Sequence, residues 1–225
     1  MTKRLHASLS IAALLLAGCA PDMSTSGTEL TYPEAPPQQV PDLGDPDWIG
    51  RTAERTRIPA RAVEAYARAS AELSETMPEC GIGWNTLAGI GATESRHGSH
   101  GDSELDDDGV VSPPIIGVAL DGSGAVAEVR DTDGGRYDGD TEWDRAVGPM
   151  QFIPETWEYY AQDGNGDGVA DPHQIDDAAL TAGVMLCQRG GDLTTDEGWN
   201  DAVLAYNQSL SYVNVVADRA ERYVE

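Results

Sequence analysis

One glutamate continues an otherwise apolar helix face near the middle of the chain. In the segment LAGIGATESRHG, helical spacing places four residues on a single face: Leu87, Ile90, Gly91 and Glu94. A carboxylate on a buried face is costly unless it is paired, protonated or used in chemistry. Because burial without a cation raises a carboxyl pKa, such a group suits a general acid near neutral pH. Glu94 is therefore a candidate general acid, and a structural carboxylate that accepts backbone hydrogen bonds is the alternative.

Two polar patterns further along the chain are candidates for sugar recognition. In AVGPMQFIPETW, the amide Gln151 stands between Met150 and Phe152, which suggests exposed apolar walls beside a hydrogen-bonding group. The alternative is the start of a helix packed on the core. In AYN, Tyr206 and Asn207 offer a phenol and an amide to a cleft, or serve as a core tyrosine and a capping asparagine.

An acidic loop, DGNGDGVAD, has the spacing of a calcium loop of the EF-hand type. In order, it offers side-chain or backbone oxygens of Asp163, Asn165, Asp167, Val169 and Asp171. The twelfth position is Gln174 instead of a bidentate glutamate. The pattern predicts a structural calcium that binds weakly or takes a substitute ligand, Asp176 or Asp177, and a metal-free turn is the alternative.

The balance of charge limits the possible partners. The chain of 225 residues has 39 acidic and 14 basic residues, a formal net charge of −25 at pH 7. Nothing in this composition can replace the counterions of a nucleic acid, so nucleic-acid binding is excluded. Bulk electrostatic attraction to an anionic membrane is excluded for the same reason.

The N-terminus predicts an exported lipoprotein. Residues 1–18 combine early basic residues with an apolar run that is too short to span a bilayer permanently, as in a secretory signal. The signal ends in LAGC, which resembles a lipobox and implies lipidation of Cys19 and anchoring to the membrane on the side of the cell wall. An ordinary signal peptide is the alternative. The remaining cysteines, Cys80 and Cys187, suggest a disulfide in an exported protein, with two separate thiols as the alternative.

The rest of the sequence predicts a tether followed by one folded domain. Residues 19–45 are rich in Pro, Ser, Thr and Gly and predict a disordered tether. Residues 46–225 predict an α+β domain that is mainly α-helical, with a small β-hairpin, formed by IIGVAL and AVAEVR, on a long Asp/Gly-rich loop. Helices are predicted from about residues 59, 84, 154, 176, 196 and 209.

Taken in order, these motifs resemble those of a known enzyme family. The segments WNTLAGIGATESRHG, DRAVGPMQFIPETW, DGNGDGVADPHQIDDAAL and AYN are similar to successive motifs of bacterial lytic murein transglycosylases, most closely the membrane-bound B type. The resemblance covers residues 58–223 and implies a lysozyme-like catalytic domain that acts on peptidoglycan strands as a monomer, without a catalytic cofactor.

The resemblance also implies roles for individual residues. Glu94 matches the family's catalytic glutamate, and cleft-lining positions are matched by Ser95, Met150, Gln151, Phe152, Tyr206 and Asn207. The implied reaction is a lyase reaction that cleaves the β-1,4 bond between N-acetylmuramic acid and N-acetylglucosamine and leaves a 1,6-anhydro end. A hydrolysing muramidase of the same fold, with Asp140, Glu142 or Asp144 positioning a water, is one alternative. A non-catalytic peptidoglycan-binding lipoprotein is another.

Overall fold

The computed structural model describes residues 30–124 and 126–224. The predicted signal peptide and Cys19 lie outside the described residues. In the described part, seven helices and four short strands follow one another, and the mainly helical α+β class predicted from the sequence is confirmed. No helix in these two ranges is long and apolar enough to cross a membrane.

The helices contain far more residues than the strands. They are α1 (Trp48–Thr56), α2 (Ala60–Thr76), α3 (Trp84–Ser95), α4 (Pro154–Tyr160), α5 (Ile175–Gly190), α6 (Asp196–Tyr206) and α7 (Leu210–Arg222). Their first residues follow local signals. Thr195 and Ser209 cap α6 and α7 by accepting backbone N–H bonds, and Pro154 occupies the first turn of α4. For α5 the cap is Gln174, two residues before the predicted cap Asp176.

Helix α3 lies in the centre of the helical part and packs against α2, α5 and α7. Two of its glycines permit this close approach. A Cβ on Gly91 would lie 2.1 Å from the hydroxyl of Tyr66, and one on Gly89 would lie 3.0 Å from the carbonyl oxygen of Val216 in α7. The small residues before Glu94 therefore let neighbouring elements reach the backbone of α3, as the sequence predicted.

The β part consists of two antiparallel pairs. Strand β1 (Glu104–Leu105) pairs with β2 (Val111–Ser112), and β3 (Ile116–Ala119) pairs with β4 (Arg145–Val147). The predicted hairpin is present only at its turn, because β3 takes its strand partner from the segment before the GPMQF turn (residues 148–152). The predicted second strand contributes isolated bridges only, among them Asp121 to Glu128. The pairing of β3 with β4 holds the GPMQF turn next to the helical core.

The predicted disulfide between Cys80 and Cys187 is present in the structure, with a sequence separation of 107 residues. Cys80 lies in the connection between α2 and α3, and Cys187 lies in the last part of α5. The bond therefore joins the segment that leads into α3 to a helix from the other half of the chain.

The end of the predicted tether is bound to the domain. Residues 31–41, which we call the N-terminal strap, make hydrogen bonds along the helical surface, and Pro36 is buried. The side-chain N–H groups of three asparagines donate to its backbone carbonyls; these are Asn85, Asn200 and Asn214. The prediction of a disordered tether is therefore wrong for this segment, because polar side chains on α3, α6 and α7 satisfy its backbone.

Candidate active site

Glu94 lies in the last turn of α3, and its side chain is half-buried. The hydroxyl of Tyr212, near the start of α7, donates a hydrogen bond of 2.5 Å to Glu94 Oε1. Because α3 ends at the next residue and α7 begins two residues before Tyr212, the contact joins two helix ends. The carboxyl group thus has one defined donor and remains partly exposed.

The surroundings of Glu94 favour its protonated form. Burial raises the pKa of this carboxyl from 4.5 to about 7, although the Tyr212 hydrogen bond and the charge of Arg219 both oppose the rise. At neutral pH, a substantial fraction of Glu94 therefore carries a proton. A carboxyl group with a pKa near the working pH can both donate and accept a proton during one reaction cycle.

Sequence reasoning missed Tyr212. The residue lies six positions after Tyr206 in a new helix, and its phenol reaches Glu94 across 118 residues of sequence. No local spacing relates the two side chains, because the contact exists only once α7 has packed along α3. The one available signal was a tyrosine on the first turn of a helix that follows the AYN motif.

We expect Tyr212→Phe to raise the pKa of Glu94 further, by roughly 1, because the lost hydrogen bond favours the ionised carboxylate. An NMR titration of the labelled glutamate carboxyl carbon measures this value directly. Tyr159→Phe is the matched control, since Tyr159 is 74% exposed. An unchanged or lower pKa in Tyr212→Phe would contradict this arrangement.

Ser95 has a structural position in the described conformation. Its side chain is buried, its hydroxyl donates to the carbonyl of Pro149 at 2.6 Å, and it accepts from the backbone N–H of Gly98 at 2.7 Å. These bonds tie the end of α3 to the GPMQF turn. Ser95 therefore positions the neighbouring Glu94 and does not present its hydroxyl to a cleft.

The prediction that Met150 and Phe152 form exposed walls of a cleft is wrong. Met150 is 0% exposed and Phe152 is 2% exposed, and the Phe152 ring packs edge-on against Trp157 and Tyr206. The alternative interpretation, a helix start packed on the core, describes both side chains. Only Gln151 between them stays partly exposed, on a backbone with a φ of +50°.

The AYN motif contacts the GPMQF turn and lies near Glu94. The Tyr206 hydroxyl donates to the carbonyl of Met150 at 2.7 Å, and burial followed by the nearby Glu94 charge raises the pKa of Tyr206. Asn207 is buried as well, and its Oδ1 atom has no hydrogen-bond partner among the described residues. A buried acceptor without a donor costs free energy unless a water or a ligand supplies the donor.

The acidic loop does not gather a calcium shell in this arrangement. The Asp163 carboxylate accepts backbone N–H groups of its own loop, and Gln174, at the twelfth position, caps α5 instead. The predicted substitute ligands are also in use: Asp177 accepts N–H groups from the loop, and Asp176 pairs with Arg61. The predicted oxygens of Asn165, Asp167, Val169 and Asp171 lie on exposed or half-buried residues of the same loop. Among the described residues, the carboxylates of this loop do not converge on one point, so we derive no step through a metal.

A different acidic cluster does converge. Within residues 30–124 and 126–224, the carboxylates of Asp131, Asp133 and Asp144 lie within 4.8 Å of one another. Asp144 is 0% exposed, and both of its oxygens accept hydrogen bonds from Thr132. The carboxylates of Asp131 and Asp133 likewise accept hydrogen bonds from backbone N–H groups. The cluster is therefore a hydrogen-bonded turn of the long loop.

The acids considered as positioners of a water are engaged elsewhere. Asp140 forms an ion pair with Arg145, Glu142 lies 3.5 Å from Arg130, and Asp144 is buried in the turn just described. Neither a carboxylate nor any other acidic group is among the causes of the raised Glu94 pKa. Among the described residues, no carboxylate forms a hydrogen bond with Glu94 or shifts its pKa.

Part of the chain matches a known family of enzymes. Residues 129–201 match the family model described as "Transglycosylase SLT domain". This range contains the GPMQF turn and the acidic loop, whereas Glu94 and Tyr206 lie outside it. No curated protein sequence matches the chain.

Solved structures of lytic transglycosylases are similar to this fold. The Escherichia coli lytic transglycosylase SLT35, in complexes with bulgecin A and with calcium, aligns at a TM-score of 0.46 and 14% identity, over 78% of this chain and 77% or 78% of those chains. SltB3 from Pseudomonas aeruginosa, in complex with NAG-anhNAM-pentapeptide, aligns at a TM-score of 0.43 and 15% identity, over 78% of this chain and 66% of that chain. The family match supports an enzyme of the transglycosylase kind.

Proposed function

We propose that this protein is a peptidoglycan lytic transglycosylase of the membrane-bound B type with a lysozyme-like catalytic domain. The observation that carries the proposal is the environment of Glu94. It is a half-buried carboxyl group with a pKa raised to about 7, held by one phenol, and no other carboxylate among the described residues shifts that pKa. The match of residues 129–201 to a transglycosylase domain supports the same class.

A single carboxyl group suffices for this reaction because the substrate supplies the other groups. Protonated Glu94 donates its proton to the glycosidic oxygen between N-acetylmuramic acid and N-acetylglucosamine, and the bond to the anomeric carbon breaks. The acetamido oxygen of the muramyl residue stabilises the electron-poor carbon. The carboxylate then accepts the proton of the C6 hydroxyl, whose oxygen attacks the anomeric carbon and closes the 1,6-anhydro ring. All groups come from Glu94 and the glycan, so no cofactor takes part.

Several polar groups around Glu94 are suited to hold the glycan. Gln151 is partly exposed on the turn beside α3, and Asn207 has a buried acceptor without a partner. A buried water that bridges Asn207 to the sugar can supply that missing donor. Tyr206 fixes the backbone of the turn by its bond to Met150, which positions Gln151 and Asn207 relative to each other.

Hydrolysis by a muramidase mechanism is the nearest rival and differs in one measurable product. We expect mass spectrometry of digested glycan strands to show muramyl ends lighter by one water than reducing ends, because the C6 hydroxyl replaces water as the nucleophile. Lysozyme-digested strands provide the reducing-end control. Products with reducing muramyl ends would establish hydrolysis instead, and the absence of any cleavage would favour the non-catalytic binding protein.

We further propose that the protein is exported and anchored by a lipid on Cys19 to the membrane that faces the cell wall. The lipobox-like LAGC sequence supports this, and an anchor places a strongly acidic protein near its substrate without electrostatic attraction. We expect Cys19→Ala to move the protein from the membrane fraction to the soluble fraction of the cell envelope. Immunoblotting of the separated fractions measures the change. Retention of the variant in the membrane fraction would contradict the anchor.

A further inference from the structure

An arginine-lined cavity lies at the opposite end of α7 from Tyr212. Its volume is about 400 Å³, and it is formed where α1, α3 and α7 end. The side chains that give it its character are Arg55, Arg96, Arg219, Arg222, His97 and Tyr223. Neither an aspartate nor a glutamate is among the residues that line it.

These arginines lack carboxylate partners in the part of the chain that the structure describes. Residues 30–224 contain twelve arginines, and six of them form ion pairs with an acidic side chain. Four of the remaining six line this one cavity. In a chain with 39 acidic and 14 basic residues, pairing is the easy arrangement, so a group of four unpaired arginines is notable. Their mutual repulsion is relieved when an anion enters the cavity.

The guanidinium groups are held in place but keep donors free. Arg55 donates one bond to the carbonyl of Tyr223 at 2.8 Å, and Arg222 donates one to the carbonyl of Asp218 at 3.1 Å. Arg219 donates one to the hydroxyl of Thr93 at 3.2 Å. A guanidinium has five N–H donors in a fork that matches the two oxygens of a carboxylate. Each anchored arginine therefore retains N–H groups for a ligand in the cavity.

The wall of the cavity contributes shape without adding charge. His97 is buried, and its two ring nitrogens lie 3.1 Å from the hydroxyl of Tyr66 and 3.4 Å from that of Tyr223. Burial, followed by the charge of Arg219, lowers the pKa of His97 to about 4, so the ring is neutral at pH 7. The positive charge of the cavity thus comes from the arginines alone.

The cavity is close to Glu94. Arg219 bonds to Thr93, the residue before Glu94, and its charge acts on the Glu94 carboxyl. Along α7, Tyr212 and Arg219 are seven residues apart, which corresponds to about 10 Å of helix. An extended peptide covers this distance with about three residues.

We propose that this cavity binds a carboxylate of the peptide that peptidoglycan carries on the muramyl residue cleaved at Glu94. The assignment rests on the function proposed above. The peptide is covalently attached to the sugar at the catalytic site, and it carries carboxylates within a few residues of the sugar. The arginine cavity thus recognises peptide-bearing strands over bare glycan.

The test compares peptide-bearing glycan strands with the same strands after an amidase has removed the peptides. The variant is Arg96→Gln/Arg222→Gln in the full mature chain, and Arg219 is left intact because it acts on Glu94. The matched control is Arg57→Gln/Arg189→Gln. Arg57 and Arg96 both have a left-handed backbone at a helix end, and Arg189 and Arg222 both lie in the last turn of a helix.

We expect the cavity variant to raise KM for peptide-bearing strands about tenfold at unchanged kcat, and to cleave bare strands like the wild type. The control should stay within about twofold of the wild type on both substrates. An equal change on both substrates, or no change on either, would overturn the proposal.

A binding measurement separates this proposal from the proposed function. Calorimetric titration with the free peptide released by the amidase should show binding to the wild type and to the control, and at least about tenfold weaker binding to the cavity variant. If the wild type cleaves neither substrate yet binds the peptide in this pattern, the lytic function fails and the carboxylate site stands. Absence of peptide binding, or binding of inorganic phosphate in its place, would refute the peptide site whatever the activity.

Discussion

Glu94→Gln is expected to lower the turnover of peptidoglycan strands by about 10³-fold while the fold and glycan binding persist. The amide is nearly isosteric with the carboxyl group and can still accept the bond from Tyr212, but it cannot deliver a carboxyl proton to the glycosidic oxygen. Release of soluble products measures turnover, and circular dichroism and a glycan pull-down measure the other two properties. Glu75→Gln, an exposed change on α2, is the matched control. Residual turnover within tenfold of the wild type would refute the role of Glu94.

Glu94→Gln is also expected to change the free energy of unfolding, in a direction that depends on pH. Because the pKa of Glu94 is about 7 in the folded chain and near 4.5 when unfolded, the folded state holds the extra proton between these values. The free energy of unfolding of the wild type therefore falls as the pH rises from about 4.5 to about 7. Glu94→Gln cannot ionise, so at pH 8 we expect it to be more stable than the wild type, by up to about 3 kcal/mol. Denaturant titrations at pH 4 and pH 8 should show the difference only at the higher pH.

Removal of the disulfide is expected to have the largest effect on stability. Cys80 and Cys187 close a loop of 107 residues, for which the chain-entropy model gives about 4–5 kcal/mol. For a domain of this size, Cys80→Ala/Cys187→Ala should therefore lower the melting temperature by about 10–15 °C. Cys19→Ala, which changes the third cysteine, is the control and should leave the melting temperature unchanged. A double variant that melts within about 3 °C of the wild type would show that the cross-link contributes little.

Features with a local cause could be predicted from the sequence. The helices follow apolar periodicity and capping residues, and Glu94 was identified because a carboxylate breaks a stripe that includes Leu87 and Ile90. The disulfide was predicted from two cysteines in a chain whose N-terminus predicts export. In each case, the evidence lies within one segment or in a count of residues.

Features that depend on distant packing could not be predicted. A turn with apolar residues on both sides of Gln151 does not reveal that Met150 and Phe152 point into the core, because their partners come from elements elsewhere in the chain. The bond from Tyr212 to Glu94 and the pairing of β3 with β4 have the same origin. The arginine cavity joins the ends of three helices, so no single segment contains its pattern.

The order of the N-terminal strap could not be predicted from the sequence for a different reason. Its composition lacks apolar periodicity, which is typical of a disordered segment. Its order comes from hydrogen bonds donated by Asn85, Asn200 and Asn214, each of which looks like an ordinary surface residue in its own helix. The backbone of the strap is satisfied by side chains of the domain and needs no regular structure of its own.

On the anchor proposed at Cys19, the bound N-terminal strap shortens the distance that the domain can move from the membrane. With Cys19 as the anchor, a free segment as long as residues 19–45 would allow the domain to travel about 90 Å from the membrane, whereas the residues before a docked strap span at most about 40 Å. With that anchor, the domain would reach only the layer of wall next to the membrane. Lengthening the chain between Cys19 and the N-terminal strap would increase the distance that the domain can move from the membrane, without altering the active site.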